Sequence, residues 1–326
     1  MKRVLNFVVI AALASQALVI GQGGDASKVL AMVRDALGGE KKVAAVKTVA
    51  ASGRLTKVNG DTSAAPTDFE MAIELPDKFM KKEVLAMLGT NPITHTSGFN
   101  GDSLISATDT PPSPAGARIV MQFGPGGGMP GVSPTPEQEE AMRKSELLAA
   151  REEFARLTLG MFATSFSVFP VEFSYAGLAE SPDGKADVIG VKGSDDFQAQ
   201  LFVDSATHLP LMLSWRAKEP LVIRQTVGEG HAGAMSGASV VQTGGQMTPE
   251  QRDQLMKDMQ ARMKEADAAR RVVEYRVYYS NFQDVGGVKL PLTLQRSIDG
   301  KPTEELTLEK VKVNQKIDPK TFEAGK

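Results

Sequence analysis

The sequence predicts a mainly β (α+β) protein, a meandering antiparallel sheet of about eleven strands that is open or closed into a barrel. Many segments alternate apolar and polar residues with a period of two, as half-buried strands do. Most of them are joined by short polar turns. The two or three helical segments fall between groups of strands, which argues against a parallel βαβ fold. A sheet that curls around its apolar face forms an apolar cavity.

The composition excludes several classes of function. The 326 residues include 37 basic and 39 acidic ones, and the net charge of −2 gives no general attraction to nucleic acid. The absence of cysteine excludes disulfides, thiolate metal sites, a catalytic thiol and a lipidated N-terminal cysteine. His95, His208 and His231 lack metal-ligand spacing, so we expect no metal site.

Enzyme motifs are weak throughout the chain. Gly126-x-Gly128-x-x-Gly131 matches a dinucleotide fingerprint formally, but three prolines separate it from the next helix and no βαβ unit surrounds it. A flexible loop is the simpler interpretation. We therefore expect no cofactor and no enzymatic activity.

The N-terminus has the pattern of a secretory signal peptide, assigned to residues 1–23. Lys2 and Arg3 precede an apolar-biased run, and small residues follow it. Cleavage is expected between Ala17 and Gly24, with export to the periplasm. The alternative is a retained membrane anchor, although the run is shorter than the roughly 20 residues that span a bilayer.

The first half of the mature chain reads as two helices followed by strands. The spacing predicts a helix over Asp25–Leu37 and a short one over Glu40–Val46. Strict alternation predicts a strand at residues 69–75. The neighbouring predicted strands cover residues 48–58, 79–88, 92–99 and 104–108. Residues 109–136, rich in proline and glycine, are predicted to be a mobile surface insertion.

The second half begins with the longest predicted helix, Pro136–Phe162, which Thr135 can cap. Its apolar stripe consists of Leu147, Ala150, Phe154, Leu157 and Met161. Further strands are predicted at residues 171–179, 186–191, 197–203, 209–216, 221–227, 273–279, 288–294 and 304–313. A second insertion, residues 228–270, would combine a Gly/Ala loop with a Met-rich helix inside one domain that spans residues 24–326.

The Met-rich helix has two interpretations. Met256, Met259 and Met263 lie at helical spacing and, as adaptable thioethers, could form a lid over an apolar cavity. An ordinary amphipathic helix that packs on the core has the same spacing. The sequence leaves both open.

Strand parity predicts the residues that face inward. They are candidates for lining a ligand cavity, and core packing is the alternative for each. The ten residues are Phe69, Met71, Ile73, Leu211, Leu213, Trp215, Tyr275, Val277, Leu292 and Leu294.

Five short motifs, in order, resemble the outer-membrane lipoprotein carrier (LolA/LolB-like) superfamily. They cover most of residues 25–326. The motifs are Leu75-Pro76-Asp77-Lys78-Phe79, Phe99-Asn100-Gly101-Asp102, Asp204-x-x-Thr207-x-Leu209-Pro210-Leu211, the Leu290-Pro291 hairpin, and Asp318-Pro-x-x-Phe322.

The resemblance implies an incomplete antiparallel barrel with helices covering its open side. It also implies a periplasmic, non-enzymatic carrier that holds a lipid, a lipoprotein acyl chain or another hydrophobic ligand. We expect a monomer that binds no nucleic acid. The alternative is an envelope interaction, scaffold or sensor module whose barrel is filled by its own side chains and which contacts a protein partner.

Overall fold

The computed structural model describes residues 25–88, 91–110, 135–182, 184–219, 254, 257, 261 and 264–323. The chain divides into two compact units. The first comprises Met1–Thr110, Glu146–Arg216 and Glu274–Lys326, and the second comprises Pro111–Ser145 and Ala217–Val273. The second unit contains most of both predicted insertions. That residues 24–326 form one domain enlarged by two insertions remains a prediction.

The described residues form one antiparallel sheet of thirteen strands. The strands are β1 (Thr48–Asn59), β2 (Thr62–Ser63), β3 (Thr67–Glu74), β4 (Lys78–Leu88), β5 (Asn91–Asn100), β6 (Ser103–Asp109), β7 (Glu172–Ser181), β8 (Gly184–Lys192), β9 (Gln198–Asp204), β10 (Pro210–Lys218), β11 (Val272–Val285), β12 (Val288–Ile298) and β13 (Lys301–Val313).

The first and the last long strands of the chain, β1 and β13, pair in the middle of the sheet. Neighbours run β6-β5-β4-β3-β1-β13-β12-β11-β10-β9-β8-β7, with β2 paired to β1. The β1–β13 pair is therefore the junction between two meanders of consecutive hairpins. Among the described strands, β6 and β7 stand at the two edges, so the sheet is not closed. The structure confirms the mainly β fold with an open antiparallel sheet and few helices.

Where the chain is described without gaps, three helices accompany the sheet: α1 (Ala26–Ala36), α2 (Glu40–Ala44) and α3 (Pro136–Phe162). Asp25 caps α1, since its carboxylate accepts a hydrogen bond of 2.9 Å from the Ser27 backbone N–H. Thr135 and Gln138 form a reciprocal capping box at the start of α3. The bounds of α3 coincide with the predicted helix.

The last five residues of α3 are buried on all sides. The buried residues of the helix include the whole run from Thr158 to Phe162, in addition to Phe154 and Ala155. A helix that is apolar all round lies in a core. We call the sheet face that packs against this part of α3 the inner face. It carries the alternate buried residues of β1, among them Val49, Ala51 and Leu55.

The opposite face carries a smaller apolar cluster. Ala72, Met80 and Ile105 pack there with Phe322 from the C-terminal 3-10 turn Pro319–Phe322. The Asp318 carboxylate accepts a hydrogen bond of 3.0 Å from the Lys320 backbone N–H and so fixes the turn. The closing motif of the sequence thus anchors the end of the chain on the sheet.

Several predicted features lie outside the described residues. They are the strand at 221–227, most of both insertions and the three candidate lid residues Met256, Met259 and Met263. Residues 254, 257, 261 and 264–268, which belong to the predicted Met-rich helix, are helical. In the part of the chain that the structure covers, no helix is both long and apolar enough to cross a bilayer.

Candidate functional site

Seven of the ten predicted inward residues are buried in one apolar cluster on the inner face. The seven are Phe69, Met71, Ile73, Leu213, Val277, Leu292 and Leu294. Trp215 is half-buried against the same cluster, and its ring stacks on Tyr275 with centroids 5.4 Å apart. The inward orientation follows from strand parity. Their role in lining a ligand site stays a prediction.

The inward prediction for Leu211 is wrong. Its side chain is 40% exposed, whereas Met212 and Leu213 are both buried. The register of β10 against β9 shifts between Pro210 and Met212. A bulge of this kind inserts one extra residue and reverses the parity before it.

Five phenylalanine rings, Phe79, Phe99, Phe154, Phe162 and Phe166, pack together on the inner face and are called the aromatic plug. The Phe154 ring of α3 lies 6.0 Å from Phe79 and 5.5 Å from Phe99, measured between centroids. Phe166, in the loop after α3, lies 5.7 Å from Phe154 and 6.2 Å from Phe162. Phe79, Phe99, Phe154 and Phe162 are all fully buried. The aromatic plug belongs to the same apolar cluster as the seven buried predicted residues.

Ion pairs tie α3 to the inner face beside these rings. The Glu153 Oε1 atom lies 2.9 Å from Lys81 Nζ on β4 and 3.0 Å from Arg296 Nη2 on β12. Lys81 pairs in register with Met71, and Arg296 pairs with Val277, so both cations share the face of the apolar cluster. One helical carboxylate thus bridges strands from both meanders.

Two sheet carboxylates complete this charged group. Glu83 lies 3.6 Å from Lys81 Nζ, and Glu304 lies 3.1 Å from Arg296 Nε. Burial alone would raise the pKa of Glu153, but the charges of Lys81 and Arg296 outweigh it and lower this pKa to about 2. Burial likewise opposes the charge of Lys81, yet Glu153 and Glu83 raise the pKa of Lys81. The pKa shifts of Glu153 and Lys81 therefore both favour the charged forms of the pair.

Arg156 makes a second polar contact between α3 and the sheet. Its guanidinium carbon lies 4.6 Å from the centroid of Trp215 and 5.1 Å from that of Phe197. Its Nη2 pairs with Glu152 at 2.7 Å. Its carbonyl oxygen accepts a hydrogen bond of 2.8 Å from the Tyr279 hydroxyl, whose pKa burial raises. Arg151 of α3 also donates to the Gly101 carbonyl oxygen at 2.9 Å and to Asp102 Oδ1 at 2.6 Å, so polar contacts at several points hold the helix on the sheet.

Neither of two well-formed pockets among the described residues is lined by any of the ten predicted residues. One is an open cleft of about 570 Å³ between the start of α1 and β7. The other, of about 310 Å³, lies beside α2 and the end of α3. The predicted lining residues are covered by α3 and by one another.

Two of the three histidines lie among the described residues, and His95 pairs in register with Glu83 of the charged group. His95 lies in β5, where its Nδ1 is 3.1 Å from the Thr108 hydroxyl and burial lowers its pKa. His208 lies in the turn before β10 with a φ of 57°, and His231 lies outside the described residues. The described ranges contain no group of three or more possible metal ligands.

The charged group on the inner face was not predicted from the sequence. Glu153 is 72 residues from Lys81 and 143 residues from Arg296 along the chain, and nothing in their spacing joins them. One available signal is the inward parity of Lys81 and Arg296, since a charged residue on the apolar side of a strand requires a partner. The Glu153-Phe154 sequence places that partner beside the aromatic plug.

No protein-family model and no curated protein matches the chain. Solved structures do match it. A LolA superfamily protein from Nitrosomonas europaea is 10% identical and aligns over 92% of this chain and 98% of its own, with a TM-score of 0.45. An outer membrane lipoprotein-sorting protein domain from Vibrio parahaemolyticus is 10% identical, covers 91% and 97%, and has a TM-score of 0.42.

A DUF1329 family protein from Desulfovibrio piger is 8% identical and covers 92% of this chain and 98% of its own, with a TM-score of 0.45. The Nitrosomonas structure is described as a LolA superfamily protein, and the Vibrio structure is described as a lipoprotein-sorting domain. Similarity at this level concerns the chain trace.

Proposed function

We propose that the chain is an exported, non-enzymatic binding or carrier protein for a lipid acyl chain or another hydrophobic ligand. The ligand occupies the inner face when the C-terminal third of α3 leaves it. The protein acts in the periplasm as a monomer, without a cofactor. The motifs of the sequence and its signal-peptide pattern support this setting.

One observation carries the proposal: the end of a single helix packs on an apolar face, and a half-buried carboxylate of that helix pairs with cations of the sheet. Pairs such as Glu153 with Lys81 and Arg296 contribute little net stability, because removing the charges from water offsets much of their attraction. They do fix one position of α3 on a surface that would otherwise accept many. Such a contact suits a helix that docks and undocks.

The free-energy cost of exposing the end of α3 and the free-energy gain from burying an acyl chain are comparable. Exposing the side chains of Phe154, Leu159, Met161 and Phe162 costs on the order of 6–12 kcal/mol, at about 1.5–3 kcal/mol for each. Burying about fourteen methylene groups of an acyl chain returns about 11 kcal/mol. A long acyl chain can therefore replace the helix on the inner face with little net cost.

The Glu153→Gln variant tests the role of α3 in this exchange. Because glutamine keeps the shape and loses the charge, we expect α3 to leave the inner face more often and an uncharged fluorescent acyl probe to bind more tightly. Each 1.4 kcal/mol removed from the cost of opening is worth about tenfold in apparent affinity. Titration of the purified protein with the probe measures the change.

Glu146→Gln is the matched control, since Glu146 is an exposed glutamate on the same helix. It should bind the probe as the unsubstituted protein does. If neither the unsubstituted protein nor Glu153→Gln takes up the probe, the carrier function is wrong.

An interaction module with a filled core is the second candidate. The observation that favours it is that neither described pocket adjoins the predicted lining residues. It predicts that the protein isolated from cells carries no lipid by native mass spectrometry and instead crosslinks to an envelope protein. Recovery of bound lipid would exclude it.

A further inference from the structure

The smaller pocket lies where α2, the start of β1 and the end of α3 meet. Its volume of about 310 Å³ is at the lower end of the range of ligand pockets, about 300–1,000 Å³. Its walls are mostly apolar: Val43, Val46, Leu75, Pro76, Phe162 and Phe166. A pocket of this size and lining fits one aliphatic chain.

The rim of the pocket is cationic. It carries Arg34, Lys47 and one acid, Glu40, and Arg34 is already paired to Glu40 at 2.5 Å and donates to the Ala163 carbonyl at 3.2 Å. Lys47 is exposed, and its ammonium has no ion-pair partner among the residues that the structure describes. A single available positive charge thus stands at the mouth of an apolar pocket.

The position of Lys47 is fixed by its backbone. Its N–H donates to the Asn314 Oδ1 atom at 2.7 Å, and its carbonyl oxygen accepts from the Leu75 N–H at 2.8 Å. The rim lysine is therefore anchored between β1, β3 and the segment after β13. Only its side chain has to adapt to a bound anion.

The floor of the pocket is continuous with the aromatic plug. Phe162 and Phe166 line the pocket, and Phe166 also packs on Phe154 at 5.7 Å. Phe166 is half-buried, whereas Phe154 is fully buried. One ring separates an aliphatic chain in the pocket from the side chains that fill the inner face.

We infer that this pocket binds a single-chain amphiphile with a carboxylate head, such as a free fatty acid. Lys47 takes the carboxylate, and the chain lies between α2 and Phe162. This inference rests on the proposed function and names its ligand class and its point of entry. Charge complementarity and the small volume favour one monoanionic chain over a two-chain lipid.

Calorimetric titration with two matched ligands tests the inference. Dodecanoate and monododecanoylglycerol share one chain and differ in the charge of the head. We expect dodecanoate to bind more tightly, and Lys47→Gln to weaken dodecanoate about fivefold while leaving the uncharged ligand unchanged. Ala44→Glu, which adds a negative charge at an exposed position in the pocket wall, should also weaken dodecanoate.

Lys57→Gln is the control, because Lys57 is an exposed lysine on β1 away from the pocket. Equal dodecanoate affinity in the unsubstituted protein and in Lys47→Gln overturns the inference. If monododecanoylglycerol binds in that case, the proposed carrier function is retained, and only the inference that Lys47 binds a carboxylate at this pocket is wrong. If neither ligand binds to the unsubstituted protein or to Glu153→Gln, both proposals fall.

Discussion

Replacing Phe154 by alanine is expected to lower the free energy of unfolding by about 3–5 kcal/mol. Phe154 is fully buried and its ring contacts Phe79, Phe99 and Phe166. The substitution removes these contacts and leaves a cavity that the surrounding rings fill only in part. Denaturant unfolding followed by circular dichroism measures the loss.

Leu178→Ala is the control for this substitution. Leu178 is also a large apolar residue, but it is 40% exposed on β7. Its truncation should change the free energy of unfolding by less than about 0.5 kcal/mol. A loss below about 1 kcal/mol in Phe154→Ala would contradict the packing of α3 on the inner face.

Replacing Gly53 by alanine is expected to cost at least about 3 kcal/mol of stability, or to prevent folding. A Cβ atom at Gly53 would lie 2.0 Å from the Thr307 carbonyl oxygen and 2.8 Å from the Leu308 Cα. These are backbone atoms, so β1 and β13 would have to separate. Because this pair joins the two meanders, the damage would reach the whole sheet.

Ser52→Ala is the matched control, since Ser52 precedes Gly53 in the same strand and already carries a Cβ atom. Its loss should stay near or below about 1 kcal/mol. The register of β1 against β13 shifts between these two residues, which explains why only one of them is crowded. Equal stability of the two variants would show that β1 and β13 do not approach as closely as described.

Local patterns were sufficient to predict most elements of the fold. The alternation in residues 69–75 predicts β3 because an antiparallel strand with one solvated face has a strict period of two. The Thr135–Pro136 start of α3 is equally readable, because a capping threonine and a first-turn proline act within a few residues. Where the cause is local, sequence and structure agree.

The content of the inner face depends on long-range contacts and was not predictable from the sequence. Its parity shows that Met71 and Val277 face inward, but not that they share an apolar cluster with Phe154 of α3. The stripe predicted for α3 covers one side, whereas residues 158–162 are buried on every side. Lys81 and Arg296 face inward against the apolar pattern because Glu153, distant in sequence, neutralises them.

Leu211 shows a second limit of predicting side-chain direction from the sequence. Parity is reliable only while the register is regular, and the bulge between Pro210 and Met212 reverses it. The Leu209-Pro210 pair is a visible signal for this, since proline lacks the N–H that a ladder requires and is tolerated at strand starts and bulges. Where a strand begins at a proline, alternation alone therefore does not show which face of the sheet a side chain lies on.

The central claim is that α3 leaves the inner face when a hydrophobic ligand binds. The chain has one tryptophan, Trp215, which contacts Arg156 of α3, and it has no cysteine. An Ala149→Cys variant, at an exposed position of α3, can therefore carry a single fluorophore that accepts energy from a single donor. Glu70→Cys, exposed on β3, provides the same label on the sheet.

Energy transfer from Trp215 to each label, measured during titration with an uncharged long-chain acyl ligand, tests the claim most directly. The account predicts that transfer to the label at position 149 falls as the ligand binds, while transfer to the label at position 70 stays constant. Saturation with bound ligand and unchanged transfer at position 149 would contradict it.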